Sequence, residues 1–221
     1  SRAQIQHLAH HDPLTHLPNR LHGELLFERL LEQSKSNNAQ VAMLFLDLDN
    51  FKPVNDALGH VAGDVLLEEL AQRLSDRLSE GQHLIRFGGD EFLVLTPCGG
   101  DCDNNDKLKA FVNNLLLEGA KEFEVLQNRV VISSSIGIAI APKDGEHFKE
   151  LCRKADIAMY QAKSDGRNTY SFYSPEQDEL SEERFKLLQK LRSAVSNNAF
   201  ELYYQPIVDL NSEQPLVVEA L

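Results

Sequence analysis

The residues with the plainest chemical potential lie in Arg86-Phe87-Gly88-Gly89-Asp90-Glu91-Phe92. Short apolar runs flank them, His83-Leu84-Ile85 before and Phe92-Leu93-Val94-Leu95 after, so the stretch reads as a β-hairpin turning on two glycines. Glycine lets a ligand approach the backbone closely, and two adjacent carboxylates, Asp90 and Glu91, follow at once. Paired acids beside exposed amides suit a divalent cation that holds phosphates. In isolation the same residues would serve equally as a solvated acidic turn. A second acidic strand end separates the two readings. Val41 to Leu46 is apolar throughout and then gives way to Asp47-Leu48-Asp49-Asn50-Phe51-Lys52. A buried strand fixes the position of a ligand at its tip, so Asp47 and Asp90 are read as a carboxylate clamp for one or two Mg²⁺ ions.

Two further features complete a nucleotide site. Lys163 and Arg167 sit at a glycine-stopped helix end and supply the positive charge that grips a triphosphate. Asn55 and Asp64 bracket the Gly59-His60 turn. A carboxylate there accepts hydrogen bonds from the N1–H and N2–H₂ donors of guanine, which adenine lacks.

The elements that must position these groups follow from periodicity and breakers. Residues 1–11 read as a short leading helix, with Ile5 and Leu8 on one face. A helix from about Asn19 to Ser34 carries an apolar stripe of Leu21, Leu25, Leu26, Leu30 and Leu31. The unbroken apolar run of Val41 to Leu46 marks a strand covered on both faces. The helix after Gly63 offers Val65, Leu66, Leu67, Leu70, Leu74 and Leu78. Beyond the hairpin, Pro97 to Asp106 reads as a surface connection and Asp106 to Leu117 as a helix. Val130 to Ile140 reads as one strand, with Phe123-Glu124-Val125 placed to pair with it. A helix from His147 to Lys163 turns Leu151, Ala155, Ala158, Met159 and Ala162 inward, and a short strand covers Thr169 to Tyr173. Pro175 marks a boundary, after which an acidic helix (Glu176 to Val195) and two strand-like stretches, Phe200 to Val208 and Leu216 to Leu221, complete the chain. The order predicts an α/β sandwich with a mainly antiparallel central sheet flanked by helices, because the hairpin forbids an all-parallel sheet.

Composition narrows the function. Acids outnumber bases 34 to 22 over 221 residues, a net charge of −12 that argues against non-specific nucleic-acid binding. A nucleotide substrate stays compatible, because metal ions neutralise phosphates inside an acidic site. No run approaches the ~18 apolar residues of a membrane span, so no membrane contact is expected of this chain. Cys98, Cys102 and Cys152 form an odd set without a C-x-x-C pair. They predict free thiols and a cytoplasmic setting rather than a disulfide framework. His7 and His11 stand one helical turn apart, but with no acid or cysteine nearby they read as an exposed helix face. The chain opens on Ser1 rather than Met, as an excised piece would, and an absent upstream region that is membrane-attached would fit that reading.

Several ordered motifs together resemble the GGDEF family, the diguanylate cyclases. They are Asp12-Pro13-Leu14-Thr15 with Leu17-Pro18-Asn19-Arg20, Asp47-Leu48-Asp49-Asn50-Phe51-Lys52 with Asn55-Asp56, Gly59-His60 with Gly63-Asp64, and Arg86 to Phe92. Ala155-Asp156, Ala158-Met159-Tyr160, Ala162-Lys163 and Gly166-Arg167-Asn168 complete the set. The resemblance implies a fold related to nucleotide cyclases and the polymerase palm, and the condensation of two GTP into cyclic di-GMP with release of pyrophosphate. It implies Mg²⁺ (or Mn²⁺) held by Asp47, the Leu48 carbonyl and Asp90, with Glu91 beside them. Asn55 and Asp64 would read guanine. Lys52, Lys163 and Arg167 would hold phosphates, with Gly88, Gly89 and His60 in the substrate surround. Asp90, Glu91 and Lys52 would carry the catalysis. A second copy of the same domain is implied, because one set of binding residues serves one of the two GTP molecules. Phe51 and Phe92 are read as packing residues.

Two positions depart from the family pattern. Ser79-Glu80-Gly81-Gln82 replaces the family's Arg-x-x-Asp product-inhibition site, and His16 stands where glycine is frequent. The tail, Tyr204 to Leu210 with Glu219-Ala220-Leu221, resembles the opening of an EAL domain, the family that hydrolyses cyclic di-GMP. The organisation expected is thus a leading helix (1–11), a GGDEF domain (12–173), a linker helix (174–199) and the truncated start of an EAL domain (200–221). The alternative is a GTP-binding module that regulates an attached EAL phosphodiesterase without making product.

Overall fold

Val41 to Leu46 forms the middle of the sheet because both of its faces are covered. The computed structural model describes residues 9–37, 39–197, 203–208 and 215–220, and the chain divides into two units, Ser1–Asp178 and Glu179–Leu221. In the first, helix α1 (Arg20–Ser36) precedes β1 (Ala39–Asp49), α2 (Phe51–Leu58) and α3 (His60–Ser75). Then come β2 (His83–Gly88), β3 (Glu91–Gly99), α4 (Asp106–Gly119), β4 (Phe123–Val125) and β5 (Asn128–Val130). Strand β6 (Ser133–Ala141), α5 (Phe148–Ser164), β7 (Tyr170–Phe172) and the start of α6 (Pro175–Ser196) complete it. The main sheet runs β2-β3-β1-β6-β7. Every pairing in it is antiparallel except β6 with β7. The second unit holds the rest of α6 and a hairpin of β8 (Tyr204–Val208) and β9 (Pro215–Ala220).

Strand alternation sorts the core into two halves. Ala42, Leu44, Leu46 and Leu48 pack with α3 and α4 residues such as Leu66, Leu70 and Leu115. Val41, Met43 and Phe45 pack with Phe27 and Leu30 of α1 and with Leu151 and Ala155 of α5. Asp47 and Asp49 continue the second series, so both acids emerge on the α1–α5 face. Helix α5 reaches that face closely at Gly137, where a Cβ would stand 1.9 Å from the Ala155 carbonyl oxygen and 2.1 Å from the Met159 nitrogen. Only a residue without a side chain lets the two backbones meet this way. The five α5 residues expected inward are all buried, and Phe51 and Phe92 lie in the core as packing side chains.

Three expectations are corrected and one element is added. On α1 the buried residues are Gly23, Phe27, Leu30, Leu31 and Ser34, while Leu21 and Leu25 are exposed; counting leucines displaced the stripe from the true inward face. The stretch before Gly59, to which the sequence pattern assigned no element, is a helix of its own, α2. The expected strand over Val130 to Ile140 is two strands. Asn128–Val130 pairs with Phe123–Val125 as a separate ribbon, and Ser133–Ala141 alone enters the main sheet. Finally, Cys98 and Cys102 are disulfide-bonded. The connection after β3 folds back through Gly100 at φ 76° and brings the two Cα atoms to 5.9 Å. The cysteines therefore no longer argue for a reducing compartment. Residues 1–8, including His7 and most of the expected leading helix, lie outside the described residues. Among those described, no helix is long and apolar enough to cross a membrane.

Candidate functional site

The hairpin tip and the end of β1 come together because β1 and β3 pair to their ends. Asp47 stands opposite Glu91 in the register, so the two carboxylates share a face as cross-strand neighbours. Asp90 lies in the two-residue turn Gly89-Asp90 between Gly88 and Glu91. Gly89 takes φ 53°, and a Cβ at Gly88 or Gly89 would meet nothing within 4 Å. The turn backbone is therefore open to a ligand, and a cleft of about 410 Å³, lined in part by Arg20, Glu24 and Phe87, borders Gly88.

Helix α5 supplies the cation. The Lys163 Nζ donates to Asp47 Oδ1 at 2.5 Å. Asp156 lies two turns earlier on the same helix, and the electrostatics tie it into the same group. Burial raises the Asp47 carboxyl above the usual range, Lys163 opposes this, and Asp90 and Asp49 add to it. Glu91 is raised first by burial and then by Asp47, Asp156 and Asp90, again against Lys163. The Asp156 carboxyl is raised by desolvation and opposed by Lys163, although the residue is exposed at the helix surface. One ammonium is thus shared among several carboxyls, a concentration of negative charge that attracts a divalent cation. Carboxylate and carbonyl oxygens are the donor set a hard divalent ion takes. Among the described residues, no three His, Cys, Asp or Glu side chains converge on one point as ligands. Leu48 buries its side chain on the opposite face and pairs with Ser134 of β6, one residue past the last β1–β3 pair.

Asn55 and Asp64 sit on α2 and α3, joined at Gly59 with φ 86°. The Asn55 Oδ1 is buried without a hydrogen-bond partner. Gly63 makes room for it, since a Cβ there would lie 1.9 Å from that oxygen. Asp64 is exposed beside Gly63. Lys52 on the first turn of α2, His60 at the start of α3 and Arg167 after α5 are also exposed. Arg167 is set by a Schellman end: Gly166 takes φ 117° and the Arg167 N–H donates to the Ala162 carbonyl at 3.1 Å.

Arg86, Asp12, Asp49 and Asp156 are site residues for which sequence reasoning found no role. Arg86 is buried and donates through Nε (3.1 Å) and Nη2 (2.5 Å) to the Gly89 carbonyl, and through Nη1 to Asp12 at 3.0 Å. Its own N–H donates to the Pro18 carbonyl at 2.9 Å. Burial works against the Asp12 charge, but hydrogen bonds from Thr15 and the Arg86 guanidinium hold its carboxyl below the usual range. The Gly89-Asp90 turn is thereby tied to the segment that leads into α1. The available signal was an arginine inside the apolar run Leu84-Ile85-Arg86-Phe87, which a buried strand tolerates only with partners. His16 takes φ 58° in that leading turn, a conformation glycine reaches without cost, which gives physical content to this departure from the family pattern. We expect Arg86→Met to destabilise the fold by about 1–3 kcal/mol, since it takes the side-chain donor from the Gly89 carbonyl and leaves Asp12 with its Thr15 bonds alone. Urea unfolding checks this, and a loss under ~1 kcal/mol would mean the brace is idle.

The family model described as "Diguanylate cyclase, GGDEF domain" matches residues 9–169. The bifunctional diguanylate cyclase/cyclic di-GMP phosphodiesterase MucR of Pseudomonas aeruginosa is 38% identical over 100% of this chain and 32% of its own length. The signaling protein YkoW of Bacillus subtilis is 39% identical over 99% of this chain and 27% of its own. The chain thus spans a third or less of these relatives. Among solved structures, the GGDEF domain of TpbB (YfiN) from Pseudomonas aeruginosa superposes with a TM-score of 0.72 at 35% identity, covering 78% of this chain and 99% of that one. A sensory box/GGDEF family protein of Caulobacter crescentus gives 0.67 at 33% identity, over 71% of this chain and 99% of that one.

Proposed function

Because the chain belongs to the GGDEF family of diguanylate cyclase domains, we propose that its residues 12–173 condense two GTP into cyclic di-GMP with release of pyrophosphate. The observation that carries this reading is the strand-end cluster: Asp47 opposite Glu91, Asp90 in the intervening turn, and Lys163 hydrogen-bonded to Asp47. Asp47, the Leu48 carbonyl and Asp90 would hold Mg²⁺ or Mn²⁺, which when bound neutralises the triphosphate and polarises its α-phosphoryl group. Lys52, Lys163 and Arg167 hold phosphate oxygens, and the Gly88-Gly89 turn accepts the nucleotide against its open backbone. Glu91 and Asp90 flank the reacting 3′-hydroxyl and α-phosphate. Asn55 and Asp64 read guanine, with His60 shaping the turn between their helices. The unpartnered, buried Asn55 Oδ1 supports this, since a buried acceptor costs ~1–3 kcal/mol until a donor reaches it.

Each domain carries one such set of residues, while the reaction joins two nucleotides. Two copies must therefore face each other about a two-fold axis, and the rate depends on what brings them together. Residues 200–221 are assigned to the opening of an EAL domain on the motifs noted above. A second reading has specific support: relatives such as NbdA of Pseudomonas aeruginosa, 34% identical, are named cyclic di-GMP phosphodiesterases. There the domain would bind GTP and regulate without making product.

One experiment separates these. The chain is incubated with Mg²⁺ and GTP, or ATP as the control, and the nucleotides are resolved by chromatography while calorimetry reports affinity. Cyclic di-GMP from GTP alone is expected, with specific activity that climbs as the protein is concentrated. ATP binding is expected to be at least about tenfold weaker, because adenine leaves the reading groups unpaired. Tight GTP binding without product selects the regulatory reading. Equal affinity for the two nucleotides would refute the guanine assignment.

A further inference from the structure

Asp49 is the most buried acid at the site end of the sheet, at 3% exposure, and no step above uses it. It stands two residues beyond Asp47 on the same face. Its carboxylate is fully engaged with neutral donors: Ser135 Oγ donates to Oδ1 at 2.8 Å, Ser133 Oγ to Oδ2 at 2.7 Å, and the Asn168 N–H to Oδ2 at 3.1 Å. The two serines belong to β6, where Ser133 is Asp49's own register partner. The third donor lies outside the sheet. It is the amide that joins Arg167 to Asn168, in a turn where both residues take left-handed φ, 65° and 47°.

Consecutive left-handed non-glycine residues persist only where their surroundings over-determine them. Here three bonds do so. The Arg167 N–H reaches back to Ala162 at 3.1 Å, the Ile136 N–H holds the Thr169 carbonyl at 3.0 Å, and Asp49 clamps the peptide between them. The first bond belongs to the helix end and the second to the edge strand. Asp49 alone of the three contributes a side chain, and it comes from the strand that carries Asp47. Charge-assisted bonds from a carboxylate to backbone N–H are the stronger kind.

We propose that Asp49 is a positioning residue for Arg167, setting the arginine turn from the same rigid strand tip that presents Asp47. The functional half of this rests on the reading of Arg167 as a phosphate-binding residue; the structural half does not. The cation after α5 and the carboxylate of β1 are then fixed relative to one another by one side chain, rather than by the end of a helix that frays.

The test uses the whole chain with Asp49→Asn, Asp49→Ala, Arg167→Ala and the double variant Asp49→Asn/Arg167→Ala. Asparagine retains an acceptor for the Asn168 amide and can donate to a serine hydroxyl, so it preserves the fold if alanine does not. Local order is read without nucleotide, from the rate at which trypsin releases peptides ending at Arg167, by mass spectrometry, beside the melting temperature. Cleavage there is expected to quicken about tenfold in Asp49→Ala, which removes the acceptor, and by a smaller factor in Asp49→Asn, which keeps an uncharged one, at a melting temperature close to that of the parent. GTP affinity, measured with Ca²⁺ in place of Mg²⁺ to prevent turnover, is expected to fall about tenfold. The double variant should bind no more weakly than Arg167→Ala, since Asp49 acts through that residue. Unchanged cleavage after Arg167 in folded Asp49 variants overturns the proposal, as do additive losses in the double variant. If the parent chain binds no GTP, the proposed function fails, and the proteolysis alone decides whether Asp49 sets the turn.

Discussion

Replacing Asp47 with asparagine should lower cyclic di-GMP formation by at least about a hundredfold while the protein stays folded, because removal of one preorganised charge from a reaction centre costs that much or more. The fold should survive because Asp47 is a strand-tip residue whose partner is Lys163 rather than the apolar core. Asparagine keeps its shape and its place opposite Glu91. What disappears is the negative charge around which the cluster is built. Asp90→Ala in the turn is expected to act alike, because it too removes a carboxylate charge from the cluster. A circular-dichroism melt beside a product assay with Mg²⁺ and GTP checks both. Asp47→Asn protein that is fully folded and turns over within a few-fold of the parent would remove the cluster from the reaction.

Gly137→Ala is expected to be the most damaging single methyl in the domain. Its Cβ would stand 1.9 Å from the Ala155 carbonyl oxygen and 2.8 Å from the Met159 Cα. These are backbone atoms of α5 and cannot rotate aside as a side-chain tip can. The helix must lift from the sheet, which breaks packing at Leu151, Ala155 and Ala158, all fully buried. Overpacking against backbone costs about 3 kcal/mol, equivalent to roughly 10 °C in melting temperature for a chain of this size. The consequence for function is larger than the stability loss alone, because the same helix carries Lys163 to Asp47. Gly99→Ala is the control: its Cβ would meet nothing within 4 Å, and it should leave the melt unchanged. Thermal melts of the two variants that differed by less than ~1 °C would show that α5 rides on the sheet more loosely than its contacts indicate.

Much of the site was legible in the sequence because strand ends are legible. An unbroken apolar run that stops on an acid declares both a buried strand and the point where it emerges. Two glycines between apolar runs declare a hairpin whose tip must be near a neighbouring strand end. Asp47, Asp90 and Glu91 follow from those two patterns, and Lys163 from a helix whose small inward residues Ala155, Ala158 and Ala162 were visible. The family, too, is written in ordered short motifs that survive without any knowledge of contacts.

What the sequence left open has a common cause: it depends on pairings between residues far apart in the chain. The Arg86 brace joins residues separated by 74 positions, and the Asp49 bonds to Ser133 and Asn168 span 84 and 119. No local pattern encodes such partners. The reading of Val130 to Ile140 as one strand failed for the same reason, since β-propensity does not say which neighbour a strand will find. The Cys98–Cys102 link depended on the turn through Gly100. By itself the sequence determined which residue types stand at strand tips and helix ends, because apolar periodicity and breakers act locally. Only the tertiary structure decided which of them meet, because a buried charge has no stable place until a distant donor satisfies it.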